Sequence, residues 1–412
     1  LIKTKNGNVT REITPQRFNN IEQLFTSGDT LLSYNNRRDF YVRKLLSEFP
    51  DTDGDGLNDL IEEFLGTDPA VADAHQDFDN DGLTNAEEYA AGTSIHDHDS
   101  DNDGLMDGHE VALGSNPLLS DTDGDGVSDY EDAEPNNASV TTLVKKIGEI
   151  EFESEIIKQC ITDSYSLEQS VYDVIYFSCW AQSDTAIENI FDLANFKFLR
   201  ELSLPYMEVT SWETLEELEY LTTFRGTKLT DDVLNLLANK VRIGHIDIRN
   251  SVFSNLLPLT ELTNLATLEL YQTNVDNWQD LIDIELTNLS VQGTNFTDAS
   301  LINVSVRFFD GSDTEIANLS LLGSLEQLNN LYLWNVNADD WSFLNSLTQL
   351  EQLYLGNSNF TDLHLINASN LTNLDLTYTQ ITDWSSVSDF KSLKQFYAGQ
   401  TSFSDLRLLE GG

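Results

Sequence analysis

Two repeating patterns of apolar and polar residues divide the chain. From about Leu199 onward, apolar residues follow the pattern Φ-x-Φ-x-x-x-[N/T/x]-Φ, where Φ is apolar. Each alternating run predicts a short strand with its apolar side chains on one face, and in-phase copies predict a solenoid of stacked parallel strands. We place the third position of the ten copies, 20–24 residues apart, at Leu204, Phe224, Ile248, Leu270, Val291, Gly311, Leu333, Leu355, Leu376 and Ala398.

The second pattern is mostly polar and lies between Asp51 and Asp132. The segment D-x-D-x-D-G-x-x-[DN]-x-x-[ED] begins at Asp51, Asp77, Asp99 and Asp121, with glycine at the sixth position of each copy. A 12-residue loop in a 22-residue period leaves too little chain for two flanking helices of ordinary length, so only one helical turn is expected. Glycine after three of the loops, at Gly66, Gly92 and Gly114, predicts where that turn ends.

This spacing is typical of a calcium loop. Ca²⁺ takes six to eight oxygen ligands, from loop positions 1, 3, 5, 9 and 12 and from the carbonyl at position 7, while glycine bends the chain at position 6. We therefore expect about four or more Ca²⁺ ions. The fourth loop ends in a shorter aspartate, which reaches an ion less well. The predicted ligands are Asp51, Asp53, Asp55, Leu57, Asp59 and Glu62; Asp77, Asp79, Asp81, Leu83, Asn85 and Glu88; Asp99, Asp101, Asp103, Leu105, Asp107 and Glu110; and Asp121, Asp123, Asp125, Val127, Asp129 and Asp132.

The charge distribution supports a cation requirement. The formal net charge is −48, and residues 51–134 contain 26 Asp and Glu but no Lys or Arg. So much like charge repels itself open unless cations neutralise it. The same acidity argues against nucleic acid or an anionic membrane as a partner, and no apolar run reaches the ~18–20 residues of a membrane span. The chain starts with neither Met nor a signal sequence, so it reads as a processed or excised fragment.

Both patterns resemble known repeat families. The segments DTDGDGLNDLIEEFLGTDP and DSDNDGLMDGHEVALGSNP resemble the thrombospondin type 3 repeat of bacterial surface proteins, which implies tandem Ca²⁺ loops used as a stiff spacer. Dockerin modules, the alternative, have two calcium repeats rather than four. The segments LEQLYLGNSNF and LTNLDLTYTQI resemble the leucine-rich repeats of internalin-type bacterial surface proteins. The expected fold is thus a repeat protein that joins a calcium-loop segment to a leucine-rich-repeat solenoid with a parallel sheet.

We expect four segments along the chain. Residues 1–50 are a small α/β N-terminal element, either a capping subdomain or an arm that docks on a neighbouring molecule. Residues 51–134 hold the calcium repeats, 135–198 a linker and the N-terminal cap of the solenoid, and 199–412 the solenoid. In the first segment, Asn6-Gly7 predicts a hairpin turn between residues 2 and 13. Apolar residues at helical spacing predict two helices there, over Phe18, Ile21, Leu24 and Phe25, and over Phe40, Leu45, Leu46 and Phe49.

Two cysteines, Cys160 and Cys179, lie in the predicted cap. They form either a disulfide, which we favour, or two buried thiols. Trp212, Trp278, Trp341 and Trp384 recur at one position of the solenoid repeat, so we assign them to packing. The cluster His96-Asp97-His98-Asp99 is either a zinc site or, as we favour, a link between calcium loops.

Partner binding is expected on the concave face, on strand residues that point away from the core. Exposed Tyr and Trp anchor protein interfaces and stack on sugar rings, although tyrosine also simply favours strands. A protein or glycan ligand, or a neighbouring copy of the chain, is the expected partner. Asp247 and Glu269 also lie on this face, and the candidate contact residues are Arg225, Arg249, Tyr271, Tyr332, Trp334, Tyr354 and Tyr397.

These patterns favour an extracellular, calcium-binding adhesion or recognition protein of a bacterial surface, because such loops suit the near-millimolar calcium outside cells. The alternative is a structural subunit that polymerises into a calcium-dependent surface fibre or layer. A hydrolase fragment is a third reading, but neither G-x-S-x-G nor H-E-x-x-H occurs in the sequence, so we expect no enzyme.

Overall fold

The computed structural model describes residues 50–180, 186–367 and 369–409, together with the backbone of five strands between residues 2 and 45. The chain separates into two compact units, Leu1–Val144 and Lys145–Gly412. In the described parts of both units, no helix is long and apolar enough to cross a membrane.

The first strands of unit one form an antiparallel sheet in chain order. Lys5 pairs with Asn8, as the predicted hairpin across Asn6-Gly7 requires. The strands are β1 (Ile2–Lys5), β2 (Asn8–Ile13), β3 (Gln23–Ser27), β4 (Thr30–Tyr34) and β5 (Phe40–Leu45).

The two helices predicted in this segment are wrong where the backbone is described. Leu24 and Phe25 lie in β3, and Phe40 and Leu45 lie in β5. A few apolar residues at helical spacing cannot distinguish a helix from a strand, and the Gly28-Asp29 dipeptide between β3 and β4 suits a two-residue hairpin. The other residues of the two predictions lie outside the described residues: Phe18, Ile21, Leu46 and Phe49.

Each of the first three calcium repeats continues from its loop into a short helix. The helices are α1 (Asp59–Leu65), α2 (Asn85–Ala91) and α3 (Asp107–Leu113). Seven residues make about two helical turns, so the prediction of a single turn was too short. Each helix ends as predicted, at a glycine in the left-handed conformation, with φ of 96° at Gly66, 94° at Gly92 and 79° at Gly114.

The fourth repeat ends differently. Residues 129–131 form a turn instead of a helix, and the chain then folds back so that Asp132 makes an antiparallel bridge with Leu143. This fold-back closes the repeat array within unit one.

Very little apolar material lies inside the calcium repeats. Position 7 of the first three loops, at Leu57, Leu83 and Leu105, is buried, and so is the glutamate at position 12 of each. The first three repeats therefore bury about one leucine each, with Ala74 and Ile95 as further small or single apolar contributions. They bury more than one carboxylate each: Glu62 and Asp73, Asp81 and Glu88, and Asp107 and Glu110. Hydrophobic burial of this size contributes only a few kcal/mol per repeat.

Unit two is the predicted solenoid. Among its described residues, eleven strands form one parallel sheet in chain order, and ten of them coincide with the predicted copies. The eleventh, β6, comes from the segment predicted as a cap. The sheet contains β6 (Tyr176–Ser178), β8 (Glu201–Ser203), β10 (Thr223–Thr227), β11 (His245–Arg249), β13 (Thr267–Tyr271), β15 (Asn288–Ser290), β16 (Phe308–Asp310), β17 (Asn330–Tyr332), β18 (Gln352–Tyr354), β19 (Asn373–Asp375) and β20 (Gln395–Tyr397).

The segments that return from one strand to the next are mostly 3₁₀ turns. They begin at Phe191 (Phe191–Asn195), and later members include Leu257–Glu261, Leu319–Ser324 and Ser385–Asp389. Two pairs of parallel strands also occur here, β7 (Ala186–Asn189) with β9 (Glu208–Ser211), and β12 (Val252–Asn255) with β14 (Asn274–Asn277). One return is the helix α5 (Asp231–Leu237).

The N-terminal end of the solenoid is fastened by the predicted disulfide. The helix α4 (Glu155–Ser164) carries Cys160, and Cys179 follows directly after β6. The two cysteines are bonded, with Cα atoms 5.4 Å apart, which confirms the pairing.

The strand register corrects one predicted position. Phe224 pairs with Leu202 and Ile246, so the residue equivalent to Ile248 is Gly226, two residues further on. The predicted position was wrong because this repeat has its large side chain, Phe224, at the first inward position of the strand and glycine at the second. The Phe224 ring fills the space of the missing side chain, since a Cβ added at Gly226 would lie 3.1 Å from it.

The same exchange occurs at Phe309 and Gly311, where a large side chain compensates for a missing one. A Cβ at Gly311 would lie 2.9 Å from the Phe309 ring and 3.0 Å from Ile316. Both weak copies of the leucine pattern therefore conserve core volume rather than side-chain identity.

Beyond the strands, the nine repeats from β10 onward turn through a residue with left-handed φ. In eight of them the N–H of this residue donates to a carbonyl of the next repeat, for example from Asn335 to Gly356 at 2.9 Å, so the backbone ladder extends past the strand ends. Polar residues fill most of these positions because their side chains tolerate positive φ better than branched ones. The positions are Lys228, Asn250, Gln272, Gly293, Asp313, Asn335, Asn357, Tyr378 and Gln400.

The recurring tryptophans belong to the core, as predicted. Trp212, Trp278, Trp341 and Trp384 are all buried. The indole N–H of Trp278 donates to Asn295 at 3.1 Å, and that of Trp341 to Asn359 at 2.9 Å. The indole N–H of Trp384 donates to Ser402 at 3.0 Å, so these three rings are buried with their polar atoms satisfied.

We predict that Gly311→Leu destabilises the solenoid by about 1–3 kcal/mol, because the new side chain overlaps the Phe309 ring. Adding Phe309→Leu in the same chain restores the ordinary leucine pair and should recover most of the loss. Denaturant unfolding of both variants measures this. A double variant no more stable than the single one would contradict the volume exchange.

Candidate functional site

The four acidic loops share one backbone conformation, held by the carboxylate at position 1. In the first loop, Asp51 accepts hydrogen bonds from the N–H of Gly54 at 2.8 Å and of Gly56 at 3.2 Å. Asp99 and Asp121 accept the same bonds in their loops. Position 6 is glycine with φ between 97° and 103° in all four loops, a conformation that side chains disfavour.

The aspartate at position 5 joins each loop to the next part of the array. One oxygen of Asp81 accepts from its own loop at Leu83, and the other accepts from the N–H of Gly108, 27 residues away, at 2.9 Å. Asp103 makes the same long-range bond to Tyr130 at 3.0 Å. We call these bonds the inter-repeat links.

At the two ends of the array the links differ. Asp55 accepts a hydrogen bond from the N–H of Ala74 at 2.7 Å, and the carbonyl of Ala74 accepts one from the N–H of Ala86. Asp125 has no following repeat, and its Oδ2 is buried without a hydrogen-bond donor among the described residues.

The carboxylates at position 9 serve the loop itself in three copies. Both oxygens of Asp59 accept from Thr52, one from its N–H and one from its hydroxyl, each at 2.8 Å. Asp107 binds Ser100, and Asp129 binds Thr122, in the same way. In the second loop, the Asn85 amide donates to the carbonyl of Asp73. We therefore propose that position 9 closes the loop, and that its part in ion binding is indirect, through water.

The glutamates at position 12 show whether the loops are suited to a bound cation. Glu62, Glu88 and Glu110 have no exposed surface, and within the described residues no donor reaches either oxygen of any of them. At position 3 of the loops, one carboxylate oxygen is likewise buried without a hydrogen-bond donor, in Asp53, Asp79, Asp101 and Asp123. Burying an unpaired carboxylate costs much free energy. A bound hard cation would remove that cost, and no side chain of the described residues supplies the positive charge instead.

The electrostatics of the loops agree with this geometry. Burial, reinforced by the surrounding aspartates, raises the pKa of Glu88 and Glu110 to about 9 and that of Glu62 to about 7. Burial also raises the pKa of Asp81 to about 7. A bound divalent cation reverses this effect, because it favours the ionised carboxylate.

Three aspartates in each loop come close enough to share an ion. Their ligand atoms lie within 4.8 Å of one another in the groups Asp51, Asp53 and Asp55; Asp77, Asp79 and Asp81; Asp99, Asp101 and Asp103; and Asp121, Asp123 and Asp125. In the fourth loop the shorter Asp132 is buried, and its Oδ1 accepts from the N–H of Glu134 at 2.9 Å.

Asp73 was missed by the sequence reasoning. It lies in the stretch that makes the first repeat four residues longer than the others, and with Asp55 and Glu62 it forms a further group within 4.8 Å. The longer spacing was the available signal. His96, by contrast, stacks on Phe78 with ring centroids 5.9 Å apart.

On the concave face of the solenoid, three rings form an aromatic ladder, which we define as Phe308, Tyr332 and Tyr354. Tyr332 and Tyr354 stack with centroids 4.3 Å apart and planes 10° apart, and Phe308 lies 5.2 Å from Tyr332. Burial and the neighbouring Tyr354 raise the pKa of Tyr332 to about 12, so its hydroxyl stays protonated and donates to Gln352 at 2.9 Å.

Trp334 lies beside this ladder and is half-buried. Its ring covers Gly356 on the next repeat, where even a Cβ would have no room, and it meets Tyr378 edge to face at 6.5 Å. Tyr378 is 52% exposed and, like Phe308, was missed, because neither occupies the strand position that was scanned.

The N-terminal end of the concave face has a different chemistry. Arg249 forms a bidentate ion pair with the buried Asp247, at 2.8–3.2 Å, and its guanidinium lies 5.9 Å from the Tyr206 ring and 5.8 Å from the Tyr271 ring. Tyr271 thus belongs with the arginine, away from the aromatic ladder. Arg225 lies 3.8 Å from Glu201.

A cavity of about 320 Å³ opens at this end. Its walls include Arg225, Arg249 and two rings that the sequence reasoning did not select, Trp180 and Tyr206. These rings are exposed and lie 5.6 Å apart. Tyr397, at the far end of the sheet, is 48% exposed and opposite Asp375 rather than another ring.

Comparison with known proteins agrees with the repeat architecture. The bacterial TSP3 repeat family model matches residues 51–72, 77–93, 99–120 and 121–131. No curated protein matches the chain. The chain therefore contains bacterial TSP3 repeats followed by a leucine-rich-repeat solenoid, and the second assignment rests on the strand register described above.

Among the solved structures that resemble the chain are three bacterial proteins. An internalin (inlF) of Listeria monocytogenes is 18% identical with a TM-score of 0.49, covering 65% of this chain and 95% of its own. A leucine-rich-repeat protein of Leptospira interrogans is 16% identical with a TM-score of 0.42, covering 58% and 70%. The functional domain of InlJ from Listeria monocytogenes is 16% identical with a TM-score of 0.40, covering 57% and 55%.

We predict that chelation of calcium unfolds residues 51–134 and leaves the solenoid folded, because only the loops need cations to neutralise buried carboxylates. Limited proteolysis with and without chelator measures this, and the disulfide-fastened solenoid serves as the internal control. Cleavage confined to the solenoid, with the loops intact, would contradict the prediction.

We also predict that the calcium-free loops lose stability as the pH rises. An unfolded glutamate has a pKa of ~4.3, and the folded values of Glu62, Glu88 and Glu110 are raised. Their contribution is therefore fully present below pH ~4.3 and is lost as the pH rises through about 7 and then about 9. Proteolysis rates in chelator across this range test the sign. Glu88→Gln should flatten the profile, whereas Glu63→Gln, on an exposed residue, should not.

Proposed function

We propose that this chain is an extracellular calcium-binding recognition protein of a bacterial surface, in which a calcium-stiffened spacer presents a leucine-rich-repeat binding face. The observation that carries the calcium assignment is the burial of Glu62, Glu88 and Glu110 without hydrogen-bond donors, in a segment without Lys or Arg. Each loop would hold its ion through the aspartates at positions 1, 3 and 5, the carbonyl at position 7 and the acid at position 12.

The inter-repeat links support the spacer role. Asp81 and Asp103 each belong to the aspartate group of a calcium loop. One carboxylate oxygen of each also accepts a hydrogen bond from a backbone N–H of the next repeat. A cation that fixes the loop thereby fixes the angle between neighbouring repeats. Without cations the same carboxylates repel one another, and the spacer loses its stiffness.

The location follows from the calcium chemistry. Loops of mostly half-buried aspartates with weak apolar support bind calcium usefully where its concentration is near millimolar, which is the condition outside cells. The disulfide between Cys160 and Cys179 is also typical of an oxidising compartment.

Recognition is assigned to the concave face. Exposed or half-exposed rings concentrate at the aromatic ladder with Trp334, and again around Trp180 and Tyr206. Rigid aromatic side chains lose little entropy on binding, and Tyr and Trp are enriched among residues that dominate interfaces. A protein or glycan ligand on this face is therefore the proposed partner.

We predict that Trp334→Ala weakens ligand binding by about 2 kcal/mol or more, because an anchoring ring is removed from the face. The melting temperature should change little, since the ring lies outside the core of the solenoid. Glycan arrays and extracellular-matrix proteins, in millimolar calcium, are the binding probes. Phe191→Ala is the matched control, because Phe191 is an exposed ring outside the sheet.

Two outcomes would reject this assignment. A large fall in the melting temperature with unchanged binding would make Trp334 a structural residue. Calcium-dependent assembly of the purified chain into ordered fibres or layers, measured by sedimentation and electron microscopy, would favour the polymerising subunit instead.

A further inference from the structure

We propose that the cavity at the N-terminal end of the concave face binds a neutral sugar residue, whose ring packs against Trp180 and Tyr206. This inference rests on the proposed recognition function, and it adds one defined site and one ligand chemistry to it. The cavity has a volume of about 320 Å³ and lies within unit two. Pockets for small ligands span roughly 300–1,000 Å³, so this one suits a ring-sized group rather than a folded surface.

The cavity exists because two strands carry serine where later strands carry large rings. Ser178 in β6 pairs with Ser203 in β8, and the same row of the sheet continues through Arg225 to Tyr332 and Tyr354. Both serines line the cavity. Their small side chains leave an open space bordered by hydroxyl groups, whereas in the aromatic ladder phenol rings fill the equivalent space.

The two rings beside this space are anchored by the backbone. Trp180 follows directly after the disulfide-bonded Cys179, whose N–H donates to the carbonyl of Ser203 at 3.1 Å. Tyr206 follows Pro205 in a turn, and the proline ring fixes the backbone φ there. Trp180 is nonetheless 68% exposed and Tyr206 48% exposed. Core packing does not account for rings in this state, and a ligand that packs against anchored rings loses little of its binding free energy to ordering them.

The charged side chains that line the cavity cancel. Glu201 and Asp247 are acidic, and Arg225 and Arg249 are basic. Arg249 and Asp247 form a closed bidentate pair, whereas Arg225 stays 3.8 Å from Glu201, beyond hydrogen-bonding distance. The N–H groups of Arg225 and the carboxylate oxygens of Glu201 thus remain suited to bind a ligand.

This combination favours a neutral polyhydroxylated ring. A hydroxyl group both donates and accepts, so the hydroxyls of one sugar are able to bind Arg225 and Glu201 together. The C–H face of the same ring packs on the face of an indole or a phenol. An anion would be repelled by the two acids and a cation by the two arginines, and an apolar group would leave the polar atoms unpaired.

The test is calorimetric titration of the full chain, in millimolar calcium, with free glucose, galactose, mannose and N-acetylglucosamine. We expect at least one of them to bind, with an affinity that is the same at low and high salt because the ligand is uncharged. Glucuronate and glucosamine, which carry a charge on the same kind of ring, should bind more weakly than their neutral counterparts.

Substitutions locate the sugar. Tyr206→Ala and Arg225→Met should each weaken binding by about tenfold or more, because each removes a direct contact. Phe191→Ala and Arg407→Met are the matched controls, since this ring and this arginine are exposed outside the cavity, and both should leave the affinity unchanged. Ser178→Tyr, at an exposed position, fills the cavity with a ring and should abolish binding without disturbing the turn at Tyr206.

Three results would overturn the inference. Sugar binding that survives Ser178→Tyr would place the sugar elsewhere on the chain. Glucuronate that binds more tightly than glucose, and weakens with salt, would assign the cavity to anions. No binding of any free neutral sugar would also overturn it, yet the proposed function would stand if the chain still bound an extracellular-matrix protein in calcium, and would fall only if that binding were absent too.

Discussion

Buried carboxylate without an internal counter-charge is the constraint on which the first unit depends. Between residues 51 and 134, acids outnumber bases 26 to none, and each of the first three repeats places one glutamate where neither water nor a donor reaches it. The apolar interior is too small to offset that cost, so the fold becomes conditional on ions from solution. Loop shape, helix position and the spacing between repeats all serve to bring carboxylates to one point.

The second unit is built on the opposite principle. Its repeats bury a continuous apolar core, and the backbone ladder runs from strand to strand and onward through the left-handed residues. Charge is present but paired locally, as with Arg249 and Asp247. One chain therefore joins a unit whose stability follows the ionic composition of the medium to one whose stability is largely internal.

Sequence periodicity predicted the repeats well because strand alternation and ligand spacing are local properties. Phe224 was misplaced because its ring fills the space that a side chain at Gly226 would otherwise occupy. A pattern of apolar positions treats the two positions separately and does not detect this exchange. The strands β3 and β5 were mistaken for helices because pairing partners, which decide the outcome, are remote in sequence.

The same limit applies to the sites. The loop aspartates were visible as a spacing, but Asp73 enters its cluster through the path of the chain after α1. The aromatic surface was found only in part. Phe308 precedes the inward-facing Phe309 in its strand, and Tyr378, which contacts Trp334, lies in the turn beyond its strand. Asp59, Asp107 and Asp129 accept hydrogen bonds from the second residue of their own loops, a contact that the ligand spacing does not reveal.

The inter-repeat links also determine how this segment responds to mechanical force. Asp81 and Asp103 each belong to one loop and restrain the next, so a loop that loses its ion also loosens its neighbour's attachment. We expect tension along the chain to open the array one repeat at a time, each opened repeat of 22 residues reaching an extended length of roughly 75 Å. We expect the segment to close again when calcium rebinds. Single-molecule stretching should show that each opening lowers the force needed to open the neighbouring repeat, whereas equal opening forces would mean that the repeats open independently of the links.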